Sequence, residues 1–302
     1  MKERLLSVQN LTKQRGSQLL LRRVSFECRR GEVVGILGPQ GEGKQALFSL
    51  LSGASFPDEG SITLGGWDLA ARPEEARSGV AFLPEHPVFF LPRGAGWEEL
   101  EFSRRLRGTE GPFPHGQVLE WAGKLGLAEK LDQRCDRLSL AEQKQLALVR
   151  ALAEGVRLLV CEEPNAGYGP AEIRRTREFI RACARHEERA FLLFGHSVAE
   201  AEAVCDRIAV LADGRLGGFR MLREEFSPEE RRPYRISAFP IEAARACLAE
   251  AGLGQVLALY GECMEVLLTA EEWGGLNRMM AEQGIHLHRV EPLRFQDEDG
   301  FE

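Results

Sequence analysis

A glycine-rich segment, Gly38-Pro39-Gln40-Gly41-Glu42-Gly43-Lys44, carries the clearest chemical signal in this chain. It follows an apolar run at 33–37 and precedes a helix-like run at 45–51, which is the strand–loop–helix order of a phosphate-binding loop. The glycines let successive backbone N–H groups converge on a polyphosphate, and the N-terminus of the helix adds partial positive charge. Lys44 would reach the outer phosphates. The next residue is normally a serine or threonine that binds Mg²⁺, but here it is Gln45, so the sequence predicts a phosphate cradle with an altered metal ligand.

Two acidic residues and a histidine each come after a short apolar run. Glu162 and Glu163 directly follow the run 158–161, and Gly195-His196 follows the run 191–194. Continuously apolar runs of this length are typical of strands that are buried on both faces of a parallel sheet. Ser139 precedes a helix-like run at 140–153, a position in which serine is a favoured N-cap.

The elements that must position these residues change character along the chain. The residue pattern is typical of helices from about 86 to 155, apart from a loop at 108–116 that is rich in glycine and proline. Short β-type runs before that region predict a sheet-rich opening, and these runs are 5–8, 24–28, 33–37, 61–64 and 80–83.

A charged stretch at 226–233 predicts a linker to a second, smaller domain at 234–302. The order strand, helix, strand, strand, helix, strand in 234–290 predicts a ferredoxin-like α+β module, with its second helix over 270–283. A helical tail with a hairpin is the alternative interpretation of this region.

Composition limits the classes of function. The net charge of −7 argues against a nucleic-acid partner, because nucleic-acid-binding proteins usually carry a basic face. No apolar run approaches the ~20 residues that span a bilayer, and the N-terminus lacks the apolar stretch of a signal peptide. Seven scattered cysteines without a C-x-x-C pair predict reduced thiols and a cytoplasmic location, without zinc or a disulfide framework.

Taken together and in this order, these motifs resemble the nucleotide-binding subunit of ATP-binding cassette (ABC) transporters. The resemblance covers roughly residues 4–225. It implies an α/β P-loop fold with an antiparallel β edge, in a domain over 1–225 with a helical insert at about 86–150. It also implies ATP and Mg²⁺ as cofactors. The segment after residue 233 is loosely similar to the C-terminal extension of bacterial drug and polysaccharide exporters.

The resemblance assigns roles to individual residues. Glu163 corresponds to the base that polarises the attacking water, and His196 to the histidine that contacts the γ-phosphate and that water. Mg²⁺ would be held by Gln45, Glu85 and Glu162. Ser139, Ala141 and Glu142 correspond to the signature sequence that faces the nucleotide of a partner cassette. The remaining nucleotide contacts would come from Gly38, Gln40, Gly41, Glu42, Gly43, Lys44, Gln45, Ala46 and Arg15, the last at the position of an adenine-stacking aromatic residue.

Several of these positions depart from the family pattern. Glu85 and Glu162 replace a glutamine and an aspartate, Glu42 adds a carboxylate to the cradle, and Gly169 replaces the aspartate of a loop near the catalytic base. One interpretation is a rewired site, in which Glu85 and Glu162 hold the metal. The other is a degenerate half-site. The retained Glu163 and His196 favour the first interpretation, and the number of simultaneous changes favours the second, which we prefer.

The resemblance implies a separate transmembrane subunit and a second cassette, with the chain bound peripherally at the cytoplasmic face of the membrane. Two copies of this chain would form two weakened sites, so a heterodimer is favoured over a homodimer, in an exporter. The apolar cluster Phe89-Phe90-Leu91 is either core or part of the surface that docks the membrane subunit. The alternative function is a non-transport regulatory or scaffold cassette that binds nucleotide without hydrolysis.

Overall fold

The computed structural model divides the chain into two compact units, residues 1–223 and 224–302. It describes residues 2–39, 41–109, 111–222, 232–251, 254–261, 263–268 and 285–292, together with residues 272, 276, 279, 280 and 283. Each unit has its own hydrophobic core.

The first unit alternates strands and helices. Its strands are β1 (Arg4–Arg15), β2 (Gln18–Arg29), β3 (Val33–Leu37), β4 (Glu59–Leu64), β5 (Trp67–Asp68), β6 (Val80–Leu83), β7 (Leu158–Glu162), β8 (Ala190–Gly195), β9 (Arg207–Ala212), β10 (Arg215–Leu216) and β11 (Arg220–Met221). Its helices are α1 (Glu42–Leu51), α2 (Pro73–Ser78), α3 (Gly96–Leu106), α4 (His115–Leu125), α5 (Leu140–Ala153), α6 (Pro170–His186) and α7 (Val198–Glu202).

Two sheets organise this unit. An antiparallel sheet has the order β2-β1-β4-β5, and a mainly parallel sheet has the order β10-β9-β3-β8-β7-β6, with β11 also paired to β9. All five residues of β3 are buried, as are the first four of β7 and the first five of β8. The apolar runs are therefore central parallel strands covered on both faces, which confirms the α/β fold with an antiparallel edge.

The region predicted as helical from residue 86 begins later than expected. Residues 84–94 contain no helix or strand, and α3 starts only at Gly96. Pro84, Pro87 and Pro92 lie in this segment, and each proline lacks a backbone N–H and disfavours helix in the residue before it. Helix α5, by contrast, begins and ends where the sequence predicts.

The second unit contains β12 (Arg232–Phe239), α8 (Ile241–Ala251), β13 (Gln255–Tyr260), β14 (Cys263–Leu268) and β15 (His286–Pro292). The sheet order is β13-β14-β12-β15 and every described pair is antiparallel. This is the strand order of a ferredoxin-like module. Most of the predicted helix 270–283 lies outside the described residues, although Leu276 and Met280 are buried in the core of this unit.

The predicted linker 226–233 needs a correction at its end, and its earlier part lies outside the described residues. Arg232 and Pro233 already belong to β12 and pair with Leu268 and Leu267 of β14. Among the described residues, pairing of β12 with β15 runs from Tyr234 to Phe239.

Candidate nucleotide site

The glycine-rich loop lies between the buried end of β3 and the start of α1. Lys44 Nζ donates hydrogen bonds to the carbonyls of Gly38 at 2.8 Å and Gly195 at 2.7 Å. The N–H of Gly38 also donates to the Gly195 carbonyl, at 3.2 Å. A Cβ on Gly38 would lie 2.2 Å from the carbonyl oxygen of Leu211, so only glycine fits there. The ammonium of Lys44 is thus held against the ends of β3 and β8.

The start of α1 suits an anion. Its N-cap is Gly41, which has no side chain to accept a hydrogen bond from the first backbone N–H groups of the helix. A Cβ on Gly41 would meet nothing within 4 Å, so space is open beside the loop. These features fit a polyphosphate. Gln40 and the side chain of Glu42 lie outside the described part of the chain.

Glu163, His196 and Lys44 converge at the ends of β7 and β8. One carboxylate oxygen of Glu163 lies 2.9 Å from His196 Nδ1, and the other lies 3.5 Å from Lys44 Nζ. The Glu163 N–H donates to the carbonyl of Phe194 at 2.9 Å, which ties the two strand ends together. The structure therefore brings the predicted base and histidine into direct contact beside the lysine of the loop.

The three predicted Mg²⁺ ligands are oxygen donors, the class that Mg²⁺ prefers. Burial raises the pKa of the Glu162 carboxyl, and the nearby carboxylates of Glu85 and Glu163 add to this rise, while a hydrogen bond from the Glu85 backbone N–H and the charge of Lys44 oppose it. Glu85 and Glu162 therefore lie close enough to repel each other, whereas Gln45 is exposed on α1. Among the described residues, no three acidic, histidine or cysteine side chains form a group that could hold a metal. A metal here would depend on phosphate oxygens for part of its coordination.

Two of the remaining predicted contacts, Arg15 and Ala46, lie on β1 and on α1. Arg15 is exposed at the end of β1, and Ala46 is half-buried on α1 against the core beneath it. Gly169 is the N-cap of α6, directly before Pro170.

The predicted signature residues form a closed hydrogen-bonded unit at the start of α5. Glu142 Oε2 accepts hydrogen bonds from the Ser139 N–H at 2.8 Å and from the Ser139 hydroxyl at 2.9 Å. The Glu142 N–H in turn lies 3.3 Å from Ser139 Oγ, which completes a capping box. Burial acts to raise the pKa of Glu142, but the hydrogen bonds from Ser139 and the nearby Lys130 outweigh it, so the pKa is lowered. Ala141 is half-buried in the first turn.

Sequence reasoning missed Lys144. This residue is buried, and its Nζ donates to the backbone carbonyl of Glu163 at 2.6 Å. A signal existed in the helical period, because Lys144 shares the face of α5 with Leu140, Leu148 and Ala151. A lysine among apolar residues at this spacing indicates a buried charge that needs a partner.

Comparisons with known proteins agree with this architecture. The ABC transporter family model matches residues 21–166. The lipopolysaccharide export system ATP-binding protein LptB of Acidithiobacillus ferridurans is 33% identical over 216 residues, covering 70% of this chain and 88% of that protein. The ABC transporter ATP-binding protein YhcH of Bacillus subtilis (strain 168) is 26% identical over 298 residues, covering 98% of this chain and 94% of that protein. A solved ATP-binding subunit of an ABC transporter has 27% identity and a TM-score of 0.66, covering 72% of this chain and 90% of that one.

The chain belongs to the ABC transporter family and is an ATP-binding subunit within it. Subunits of this family bind ATP and Mg²⁺, dimerise, and act with transmembrane subunits. In the part of this chain that the structure describes, no helix is both long enough and apolar enough to cross a membrane.

Proposed function

We propose that this subunit is the weaker half of a cassette heterodimer in an exporter, bound at the cytoplasmic face of the membrane. The observation that carries the proposal is the contact of Ser139 with Glu142. In cassettes of this family, ATP is held between the P-loop of one chain and the serine at this helix start in the other. A phosphate that approaches Ser139 here would meet the carboxylate of Glu142.

The size of this repulsion is enough to matter. A like charge at ~5 Å costs about 1–3 kcal/mol at effective dielectric constants of about 20–60. That energy corresponds to about a 10- to 100-fold loss of affinity. A homodimer would carry this defect twice, whereas a heterodimer would carry it once and leave the other site with the signature of its partner.

In the proposed dimer, the nucleotide site that contains the P-loop of this chain is its cis site. Lys44 would bind the outer phosphates, Glu163 would accept a proton from the attacking water, and His196 would orient that water and Glu163. Their contacts at 2.9 and 3.5 Å support these roles. The cradle would consist of Gly38, Gln40, Gly41, Glu42, Gly43, Gln45 and Ala46, with Arg15 stacked on the base.

We propose an altered Mg²⁺ site formed by Gln45, Glu85 and Glu162. The two carboxylates at the ends of β6 and β7 repel each other, and a divalent cation would relieve that repulsion. Bound Mg²⁺ would supply electrostatic stabilisation of the phosphate charge. The residues of the chain would contribute the oxygen ligands and hold Glu163 beside them.

A first experiment tests nucleotide and metal binding together. ATP binding to the full-length chain is measured by calorimetry with Mg²⁺ and with EDTA. Affinity that rises with Mg²⁺ in the wild type, and not in Glu85→Gln/Glu162→Gln, supports the rebuilt metal site. If the affinity for ATP does not depend on Mg²⁺, the loop binds nucleotide without the metal. If ATP does not bind at all, the proposed nucleotide site on the P-loop of this chain is wrong.

The weaker-half assignment is tested by Glu142→Gln, since glutamine keeps the capping box and removes the charge. We expect about tenfold stronger ATP-dependent dimerisation of the variant chain, measured by analytical ultracentrifugation. Glu129→Gln, a change of an exposed carboxylate nearby, is the control. The heterodimer proposal is wrong if a homodimer of the wild-type chain with its membrane subunit shows substrate-stimulated ATP turnover that Glu163→Gln abolishes.

An exposed apolar patch supports docking of a transmembrane subunit. Val88, Phe90, Phe102 and Leu106 are 75%, 58%, 39% and 59% exposed, and the rings of Phe90 and Phe102 lie 6.1 Å apart. Phe89 instead packs partly into the core. Contiguous exposed apolar side chains of this kind mark interaction surfaces.

This docking surface can be tested by co-purification of the membrane subunit. We expect Val88→Ser/Phe90→Ser to lose the membrane subunit and to keep ATP affinity. Phe56→Ser, at an equally exposed aromatic residue outside the patch, should keep both. Loss of the subunit in the control, or its retention in the double variant, would contradict the assignment of this surface.

The proposed export direction is supported by the relative in a lipopolysaccharide export system. A relative that imports molybdate or tungstate also matches this chain. ATP-driven accumulation of substrate in inside-out vesicles that contain the complex would support export. Accumulation only in right-side-out vesicles would contradict it.

A further inference from the structure

Lys144 is a buried charge that the proposed chemistry does not yet use. It is 7% exposed, lies on α5 five residues after Ser139, and donates its hydrogen bond to the main chain of Glu163 rather than to a carboxylate. Burying an ammonium is costly unless it gains strong partners. The contact at 2.6 Å is therefore a specific interaction and not an incidental one.

The main chain that Lys144 holds has an unusual conformation. Glu163 has a φ of +40°, a left-handed conformation that costs a non-glycine residue roughly 1 kcal/mol or more. Its carbonyl oxygen accepts hydrogen bonds from both Lys144 Nζ and the N–H of Ala166, the latter at 3.0 Å. These bonds hold the turn in which the Glu163 side chain points at His196 and Lys44.

The charges around Lys144 also match this position. The carboxylates of Glu85 and Glu163 are its acidic neighbours, and they counteract the burial that lowers the pKa of the Lys144 ammonium. A lysine here thus offsets part of the negative charge that accumulates at the ends of β6 and β7. With a neutral side chain of the same length at position 144, Lys44 would be the one remaining lysine, among those that the structure describes, in contact with Glu163.

Helix α5 connects Lys144 with two other functional regions. Ser139 caps the start of the helix, and Arg150 near its end donates to the carbonyl of Val88 at 2.9 Å, in the proposed docking segment. A shift of α5 relative to β7 would therefore change the Lys144–Glu163 contact.

We propose that Lys144 is a positioning residue, which holds the left-handed turn at Glu163 and links the orientation of that carboxylate to the position of α5. The proposal rests on the proposed role of Glu163 in catalysis. The contact joins helix α5, whose start faces the nucleotide of the partner cassette, to Glu163, the base of the chain's own nucleotide site.

The test uses the full-length chain and the variants Lys144→Met, Lys144→Arg and Lys124→Met. Methionine keeps most of the apolar stem without a donor, arginine keeps a cationic donor, and Lys124 is an exposed lysine of α4 that pairs with Glu120. The first readout is amide hydrogen exchange at Glu163 and Ala166. The second is the ¹⁵N chemical shift of His196 Nδ1, and the third is the kcat and KM for ATP.

In Lys144→Met, we expect about tenfold faster exchange at these two amides, without faster exchange in the rest of α5. We also expect a changed His196 Nδ1 shift, since the ring loses its contact with Glu163. The kcat should fall by about 10- to 100-fold while KM stays within about twofold. Lys144→Arg should recover most of each effect, and Lys124→Met should match the wild type.

The outcomes separate this proposal from the proposed function. Absence of ATP turnover in the wild-type chain alone would agree with two weakened sites in its homodimer, and the exchange and ¹⁵N readouts then decide the positioning role. Unchanged exchange and an unchanged His196 shift in Lys144→Met would overturn the proposal. Faster exchange throughout the cassette in both Lys144 variants would do the same, because it would indicate only a structural role.

Discussion

At the scale of single residues, the candidate site is a balance of charges. The carboxylates of Glu85, Glu162 and Glu163 face the ammonium groups of Lys44 and Lys144. Three carboxylates thus meet two ammonium groups, and the two acidic neighbours of Glu162 add to the rise in its pKa that burial causes. This excess is the physical reason to expect that a cation stabilises the site.

The raised pKa of Glu162 predicts a pH-dependent change in stability. The native state binds the proton of Glu162 more tightly than the unfolded chain does. The protonated carboxyl therefore contributes its full stabilisation of the fold below about pH 4.5, the ordinary pKa of a glutamate. This stabilisation is lost as the pH rises through the higher pKa of the native state. We expect Glu162→Gln without metal to melt about 2 °C above the wild type at pH 7.5, and to match it near pH 4.

Differential scanning fluorimetry across this pH range checks the expectation, with Glu74→Gln on the exposed side of α2 as the control. Added Mg²⁺ should raise the melting temperature of the wild type more than that of Glu162→Gln. An equal melting temperature of both proteins at pH 7.5 would show that burial of this carboxylate costs the fold nothing.

At the scale of elements, a buried ion pair fixes the irregular segment 84–94 against α5. Glu99 of α3 is fully buried, and its Oε1 lies 2.7 Å from an Arg150 guanidinium nitrogen. Its Oε2 accepts a hydrogen bond from the N–H of Leu91 at 2.8 Å. Arg150 also binds the carbonyl of Val88. The segment has no ladder or helix of its own, so these bonds help to set its path. The N–H groups of Asp136 and Cys135 also donate to the carbonyls of Pro92 and Gly94.

Breaking this pair from one side should be strongly destabilising. We expect Glu99→Ala to lower the free energy of unfolding by about 3–5 kcal/mol, because it removes the close partner of the half-buried Arg150 charge and leaves it the more distant carboxylate of Glu154, at 4.0 Å. The double variant Glu99→Ala/Arg150→Met should lose clearly less than the sum of the two single changes. Urea unfolding, followed by tryptophan fluorescence, measures the free energies of unfolding of the wild type, the two single variants and the double variant in this double-mutant cycle.

The exposed pair of Glu120 and Lys124 on α4 is the matched control for that cycle. Its removal should change the free energy of unfolding by about 0.5 kcal/mol or less. If the Glu99 cycle were additive, the pair would contribute no coupling energy, and the path of the segment 84–94 would be set by its backbone hydrogen bonds to Cys135 and Asp136 and by the apolar contacts of Phe89.

At the scale of the whole molecule, each unit places its cysteines in its interior. All seven are free thiols, six of them are buried, and Cys263 is half-buried. Burial raises the pKa of Cys135 to about 11, and that of Cys161, Cys183 and Cys205 to about 12. Such thiols are poor nucleophiles at neutral pH because the thiolate is the reactive form.

Thiol labelling of the native chain should therefore be selective. At pH 8, a maleimide or aromatic disulfide reagent should modify Cys263 first, and the other six should react only on unfolding. Cys263→Ser should remove the fast phase, which intact mass spectrometry would detect as the loss of one adduct. Rapid native labelling of the β7 thiol, Cys161, would mean that the centre of the cassette opens locally.

The sequence by itself determined the central strands, the phosphate loop and the cap of α5. Strands that are covered on both faces need apolar residues at every position, so β3, β7 and β8 appear as unbroken apolar runs. Glycines before Lys44 and a serine three residues before Glu142 are local signals, since the backbone geometry they serve spans only a few residues. Each of these elements lies where the residues predict.

Only the tertiary structure decided the rest. The predicted strands at 5–8 and 24–28 are parts of the longer β1 and β2, because register shifts between them interrupt the alternation that marks a strand. The contacts of Lys144 with Glu163 and of Glu99 with Arg150 join residues 19 and 51 positions apart. No local pattern specifies such partners, because burial in the folded core brings each pair together and makes its hydrogen bonds necessary.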